Sequence, residues 1–513
     1  MSRINTNVQS LIAQRVLGQN NKALGFSLER LSTGLRINRG VDDPAGLIAS
    51  ENLRAEKAQI GAAIGNAERA GQIVNIAEGG LQEVASLLTE LDGLVTTTAN
   101  TAGLSNEEKL ANQLQIDSIL QSIDRIASAT SFQGIRLLNG NFDYQTSNVS
   151  GDLASFKVNG AKLNPGTSLD VDVIVTQSAQ VGGFFLSFAA AGLDLGDADE
   201  QFVIEIAGRE GARELSFASG TTLNQIQDAI NTFTDVTGVS ALVSDTGIRL
   251  ISTGVGADEL VSVKVVDDGG IGSANDIGVY NFVDDDTNAA DVAPLVAFDD
   301  PDAASGVKDE GQDVGATING ITAVTKGAQV AINTDFLQVE IDLTTAGTNP
   351  NAQNLGKVDA FTINGGGADF QLAGQVDIAG KVSIGIGNVA ARSIGKIEDG
   401  GTAYTIADLG SGKALNVVDG EHNVAQSAVV SAIREISSLR GRLGAFQKNT
   451  IGATIRSLGV SLENTTAAES TIRDADFATE TAGLTRSQIL VSSTTNVLAL
   501  ANAQPQNVLQ LLG

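Results

Sequence analysis

Apolar residues recur three and four apart over residues 1–140 and again over roughly 421–513, while residues 141–420 alternate with period two between turns and acidic loops. The first rhythm is that of helices seeking helical partners, and the second is that of half-buried strands. Two ends made of coiled-coil material come together as one bundle and leave the middle as a looped-out insertion. The expected fold class is α+β: a long helical coiled-coil bundle formed by both chain ends, with β-rich outer domains inserted in the middle. Such a plan suits a building block of an assembly better than it suits an enzyme.

In the first helix Leu17, Leu24, Leu28, Leu31 and Leu35 form a seam, which Val8, Leu11 and Ile12 extend toward the start. Gly40-Val41-Asp42-Asp43-Pro44 breaks it, with Asp43 able to cap a second helix that has Pro44 at its first position. That helix runs to about Ala99. Its glycines at 61, 65, 71, 79 and 80 each cost roughly 1 kcal/mol relative to Ala, which predicts close helix packing or a break at Gly79-Gly80. A third helix starts at the capping-box pattern Ser105-Asn106-Glu107-Glu108. Helix returns at about Asn423, with Val430, Ile433, Ile436, Leu439 and Leu443 on one face. After a joint at 470–476, the last helix carries Phe477, Leu484, Val491 and Leu498 at intervals of seven, and Pro505 argues against helix beyond it.

The middle holds strands around 171–175, 202–206, 214–217 and 261–266, and a short helix from Thr222 to Phe233 with a Thr222/Gln225 capping box. Residues 201–266 read as one compact ββα unit with further strands. Residues 267–313, acidic and rich in Gly, Ala and Asp, read as surface loop; strand patterning resumes at 329–344 and 358–390.

Charge sorts with this division. Residues 141–420 hold 39 of the 60 acidic residues but 13 of the 32 basic ones, so the ends are near neutral and can lie side by side while the middle repels its copies. No basic field exists to release counterions from nucleic acid. No run of about 18 apolar residues predicts a membrane span, and the first residues lack the apolar core of a cleavable signal peptide. With no Cys and a single His, a disulfide framework, a thiol nucleophile and a Cys/His zinc site are impossible, and no cofactor or metal is expected. His422 reads as a solvated residue before a helix. The acidic runs 284–286 and 299–300 lack EF-hand spacing and read as solvated charge.

Several stretches resemble bacterial flagellin. At the start these are INTNVQSL, LERLSTGLRIN, DDPAGLIASENLRA and FQGIRLLNG; at the end they are LGAFQKNTI, IRDADFATETAGLTRSQIL and NAQPQNVLQLLG. The segment 201–266 resembles the small β-rich module inserted in many flagellins and hook-associated proteins. The resemblance implies that 1–40 with 477–513 form an inner coiled-coil filament core. It implies that 44–178 with 400–470 form a helical rod domain with a β-hairpin, and that 179–399 form variable outer domains. The implied filament-core packing residues are Leu17, Leu24, Leu28, Leu31, Leu35, Phe477, Leu484, Val491 and Leu498. The implied partners are further copies of the chain in a helical homopolymer, an export chaperone on the C-terminal helix, the filament cap and hook-associated junction proteins. Export would proceed unfolded through the flagellar type III apparatus, with assembly at the distal tip. Flagellins sensed by the flagellin-specific Toll-like receptor carry two arginines shortly before a leucine in the second helix. Here Glu90 and Asp92 precede Leu94, which predicts weak or absent recognition. A hook–filament junction protein and a surface adhesin with flagellin-like ends are the rival readings; 4% aromatic content without Trp argues against carbohydrate stacking.

Overall fold

A computed structural model describes residues 6–100, 103–164, 166–188, 192–195, 199–244, 246–271, 277–283, 286–290, 296–344, 353–399 and 401–510. The helices are α1 (Val8–Thr33), α2 (Pro44–Thr98), α3 (Asn106–Ala129), α4 (Leu223–Asn231), α5 (Thr234–Thr237), α6 (Pro301–Ser305), α7 (His422–Ala445), α8 (Gly452–Arg473) and α9 (Phe477–Gln510). Two compact units emerge. One comprises Met1–Glu78, Phe370–Lys381 and Arg440–Gly513; the other comprises Gly79–Asp369 and Val382–Leu439.

The first unit is built of antiparallel helix pairs. Asn7 caps α1 by accepting the Ser10 N–H (3.1 Å), and Gly34, at φ 74°, ends it. Leu35 therefore lies just past the helix, not within it. Asp43 accepts the Gly46 N–H (2.9 Å) at the start of α2, as the sequence predicts. Along α2 the pairs Lys57–Glu469 (2.7 Å), Asn75–Gln447 (2.7 Å) and Glu78–Arg440 (2.8 Å) run in opposite sequence directions, so the α7–α8 rod lies antiparallel to it. A π-helical stretch, Phe446–Ile451, joins α7 to α8 without ending the rod. Phe446 is buried there, with its ring 5.9 Å from that of Phe370. Helix α9 continues through Pro505 to Gln510, contrary to the sequence expectation. One missing backbone donor does not stop a helix already propagated for seven turns.

In the second unit, Leu81, Val84, Leu88, Leu91 and Val95 of α2 are buried at 0–1% exposure, every third or fourth residue. Helix α2 does not break at Gly79-Gly80. A Cβ at Gly80 would lie 2.7 Å from Thr130 Oγ1 and 2.9 Å from Leu138 Cδ1, whereas one at Gly79 would meet nothing within 4 Å. Gly80 is thus where the Ser131–Phe132/Ile135–Arg136 hairpin presses on the helix; its turn residues Gln133 and Gly134 both have positive φ. Helix α3 carries the Ser105/Glu108 capping box and is tied to the chain before α7. Gln113 donates to Leu409 O (2.8 Å) and accepts from Val417 N (2.9 Å), and Asp117 accepts from Ser411 N (2.8 Å).

Two antiparallel β modules complete this unit. The first stacks the sheet ordered 321–322, 315–318, 169–177, 356–366, 144–147 on the sheet ordered 324–326, 329–333, 337–343, 153–161. Val173, Ile318, Val339, Ile341 and Ile363 fill its core. The second combines the sheet ordered 286–290, 278–283, 183–187, 247–252, 239–244 with the sheet ordered 307–310, 260–267, 201–208, 212–218 and with α4. Its core holds Phe184, Phe202, Ile204, Ile226 and Ile248, and Phe202 meets Phe298 edge-on at 5.1 Å. The Thr222/Gln225 capping box starts α4 as the sequence predicts.

The expected loop at 267–313 is regular in part: it contains the strands Gly278–Val283, Asp286–Ala290 and Val307–Glu310 and helix α6. Val279, Phe298 and Ala303 anchor it in the second module's core, too sparsely spaced to produce a readable period. Asp300 caps α6 by accepting the Asp302 N–H (2.9 Å). Positions 284–285 of the other acidic run lie outside the described residues.

Candidate interaction surface

The two ends of the chain meet in the first unit as an antiparallel pair, α1 on α9. Asn7 Nδ2 donates to Ala501 O (2.7 Å), Ser10 Oγ to Asn502 Oδ1 (2.7 Å) and Asn20 Nδ2 to Thr494 Oγ1 (2.9 Å); Arg30 pairs with Glu480 (2.9 Å). From Asn7 and Ser10 at 501–502, through Asn20 at 494, to Arg30 at 480, the contacts run in opposite sequence directions along the two helices and hold one register. Polar groups on an apolar seam do this better than leucines, which slide past each other at little cost.

The connectors at the base of the pair are joined as well. Leu35 bridges Asp474, Arg36 N donates to Arg473 O (2.7 Å), and Ala475 N donates to Gly34 O (2.9 Å). Each connector has an internal carboxylate clamp. Asp42 accepts the N–H groups of Arg39 (2.8 Å) and Asn38 (3.0 Å), which hold its carboxyl below the ordinary aspartate range. Asp476 accepts from the Thr479 hydroxyl (2.9 Å) and from the Thr479 and Ala478 N–H groups, with the same consequence.

The seam itself is only half closed. Leu17, Leu24, Leu31, Leu35, Leu484, Val491 and Leu498 are each partly buried, and among the described residues of the pair only Ser10, Ala13 and Ala501 are buried. Leu28 (50% exposed) and Phe477 (59%) face outward instead of inward. Around them Val8, Leu11, Ile12 and Phe26 on α1 and Ile489, Leu490, Val497 and Leu500 on α9 are exposed, Leu500 at 68%. A two-helix pair covers one stripe of each helix and leaves the rest in water. Contiguous exposed apolar surface of this kind marks a contact site.

On α2, Glu90 is exposed, while Asp92 and Leu94 are partly buried. Asp92 Oδ1 is shielded from solvent with no hydrogen-bond partner among the described residues. His422 is half-buried at the start of α7, its Nε2 3.1 Å from Val417 O, so it is less solvated than the sequence suggests. Among the described residues no group of three or more His, Asp or Glu could hold a metal, and no helix is long and apolar enough to cross a membrane. The register contacts Asn7, Ser10, Asn20, Arg30 and Glu480 escape an apolar-period search. Their signal is polar residues interrupting both seams, and it becomes readable only once the helices are paired.

A fold whose termini form an incompletely covered helix pair, in a chain that also carries a rod of helices and inserted β modules, defines a self-assembling structural subunit. Residues 4–143 match the bacterial flagellin N-terminal helical region, 427–512 the bacterial flagellin C-terminal helical region, and 201–254 the flagellin hook IN motif. The chain is 30% identical to flagellin of Salmonella muenchen and 28% identical to flagellin B of Helicobacter pylori (strain J99), over 99% of both chains in each case. It belongs to the flagellin family, the structural subunits of the extracellular flagellar filament. Among solved structures it overlays on flagellar hook associated protein-3 of Legionella pneumophila at 11% identity, covering 82% of this chain and 98% of that one with TM-score 0.28. The flagellar cap protein D2–D3 domains of Serratia marcescens give 21% identity over 40% of this chain and 98% of that one, with TM-score 0.23.

Proposed function

We propose that the α1–α9 pair is the inner core by which copies of this chain join in the flagellar filament. Residues 1–40 and 477–513 form that core, the helices of 44–130 and 422–473 form a rod domain, and the two β modules, the first of which begins at 144 and so carries strands before residue 178, form the outer domains. The observation that carries this reading is the exposed apolar surface on both terminal helices, which a single chain cannot cover. Leu17, Leu24, Leu31, Leu35, Leu484, Val491 and Leu498 close the pair within a subunit. Leu28 and Phe477 turn outward to meet neighbouring copies. The contact is head-to-tail and non-closing, so it propagates as an open helical filament. Part of each helix's order then comes from its neighbours, since burial on assembly offsets the entropy of holding a long helix. The role is structural, with no catalytic step.

Export as an unfolded chain through the flagellar type III apparatus, a chaperone on α9, and assembly beneath a cap beyond the hook-associated junction all follow from the same reading. Glu90 and Asp92 stand where the flagellin-specific Toll-like receptor meets cations, so reporter cells exposed to purified monomer respond weakly; a full response would remove this part of the reading.

The interface itself is tested by single cysteines at Leu11, Leu500 or Thr322, introduced into a chain that has none of its own. Each carries an environment-sensitive fluorophore. On assembly the labels at 11 and 500 shift to the emission of a dry environment, while the label at 322 on a β module stays near its monomer value. Terminal labels that remain wet in filaments would refute the proposal.

A further inference from the structure

The chain passes between the two β modules twice, through 178–182 and 311–314. These connectors run side by side: Gln180 N–H donates to Gln312 O (2.8 Å) and Gln312 N–H returns to Gln180 O (3.0 Å). Two adjacent connectors alone make a hinge, because neither resists rotation about their common line. A third segment lies against them. The loop 253–259 of the second module sends Gly256 N–H to Gln180 O (3.0 Å), accepts the Gly311 N–H at Glu259 O (2.8 Å), and packs Val255 on the core of the first module.

Asp313 sits where all three meet. Its Oδ1 accepts the Ala257 N–H (2.9 Å) from the second module's loop and the Gly327 N–H (2.7 Å) from the 324–333 hairpin turn of the first. Backbone from the two modules touches here. A Cβ on Gly256 would lie 2.6 Å from Gly327 Cα, and one on Gly327 would lie 2.7 Å from Val255 O; both glycines have positive φ. Lys326 of the first module also pairs with Asp258 of the second at 2.9 Å, holding the Asp258 carboxyl below its usual range. Both partners are exposed, so this pair adds little to the backbone contacts.

We propose that Asp313 and the loop 253–259 form a latch that fixes the orientation of the second β module on the first. One carboxylate oxygen satisfies a backbone donor from each module, so the two stay in register only while that acceptor is present. Removing it leaves two unpaired N–H groups at a close approach, where water competes for them and separates the surfaces. The connectors then act as a hinge, and the module samples a range of angles. The latch is a property of the single chain and stands apart from the filament reading.

The test uses the soluble full-length chain with spin labels on Glu214→Cys and Thr322→Cys, exposed positions on the second and first modules, and reads the distance distribution by pulsed dipolar spectroscopy. The parent gives one narrow distribution. Asp313→Ala broadens it roughly twofold or more with far-UV circular dichroism unchanged, while Asp313→Asn, which keeps an acceptor oxygen, restores the parent width. A folded Asp313→Ala chain with the parent width would overturn the proposal, as would an Asn variant as broad as the Ala variant. Should Asp313→Ala fail to fold, Val255→Ser decides the matter: broadening supports the latch, and the parent width removes it.

Discussion

Replacing Val491 with Asp puts a carboxylate into the half-closed seam between α9 and α1. Full burial of a Val, Leu or Ile side chain contributes about 1.5–3 kcal/mol, so losing the partly buried valine costs about 1 kcal/mol. A carboxylate that must lose water without gaining a partner adds about 2 kcal/mol or more. The sum of about 3 kcal/mol per subunit corresponds to a roughly 100-fold rise in the monomer concentration needed for growth, at about 1.4 kcal/mol per decade. The assembly drive cannot absorb this easily. Ten large apolar side chains among the described residues of α1 and α9, Val8, Leu11, Ile12, Phe26, Leu28, Phe477, Ile489, Leu490, Val497 and Leu500, are about half exposed. Covering them yields on the order of 10 kcal/mol gross, against an association cost of about the same size. The assay is sedimentation of polymer across a monomer dilution series, with thermal unfolding of the unassembled chain in parallel. The two β-module cores contain no residue of α1 or α9, so their unfolding transition stays where it was. A critical concentration within about threefold of the parent would show that closure of the α1–α9 pair is not what assembly depends on.

Adjacent glycines in α2 have opposite expected effects. Gly79→Ala meets open space and stabilises the helix by up to about 1 kcal/mol, while Gly80→Ala drives a methyl into Thr130 and Leu138 and costs about 1 kcal/mol net; urea midpoints of the monomer moving in the same direction would contradict this. Leu91→Ala, at a fully buried position, lowers the stability of the helical part by about 2–5 kcal/mol in chemical denaturation, and an unmoved midpoint would count against α2 as core. Acid acts at the connectors. The folded pKa values of Asp42 and Asp476 lie below the reference 3.8, so their stabilisation is fully present above that pH and is lost as pH falls through the lowered values. Helicity is therefore unchanged from pH 7 to 5 and falls below about pH 4, whereas a loss between pH 7 and 5 would contradict the assignment.

What could be read in the sequence were the features set by local chemistry. The caps at Asp43, Ser105 and Thr222 are short-range hydrogen-bond patterns, and each stands where the residues place it. The terminal seams were legible as seams but not residue by residue. A straight helix drifts about 20° per seven residues, so the strict series from Leu498 back to Phe477 rotates off the contact stripe and leaves Phe477 in solvent. Leu28 sits one helical position away from the line through Leu24 and Leu31, and one partner helix does not reach it. The strands and α6 within 267–313 were hidden because a few anchors such as Phe298 and Ala303 do the burying amid Gly, Ala and Asp. The latch at Asp313 was invisible for another reason: it joins backbone groups, whose partners depend on the tertiary fold and not on side-chain type.

If the terminal helix pair joins one subunit to the next, a chain without it cannot polymerise. Electron microscopy of the seeded, salted full-length chain, beside a version lacking residues 1–40 and 477–513, tests it most directly. Filaments from the full chain alone are the predicted result. Filaments from both would contradict the claim, because some other surface would then be holding the subunits together.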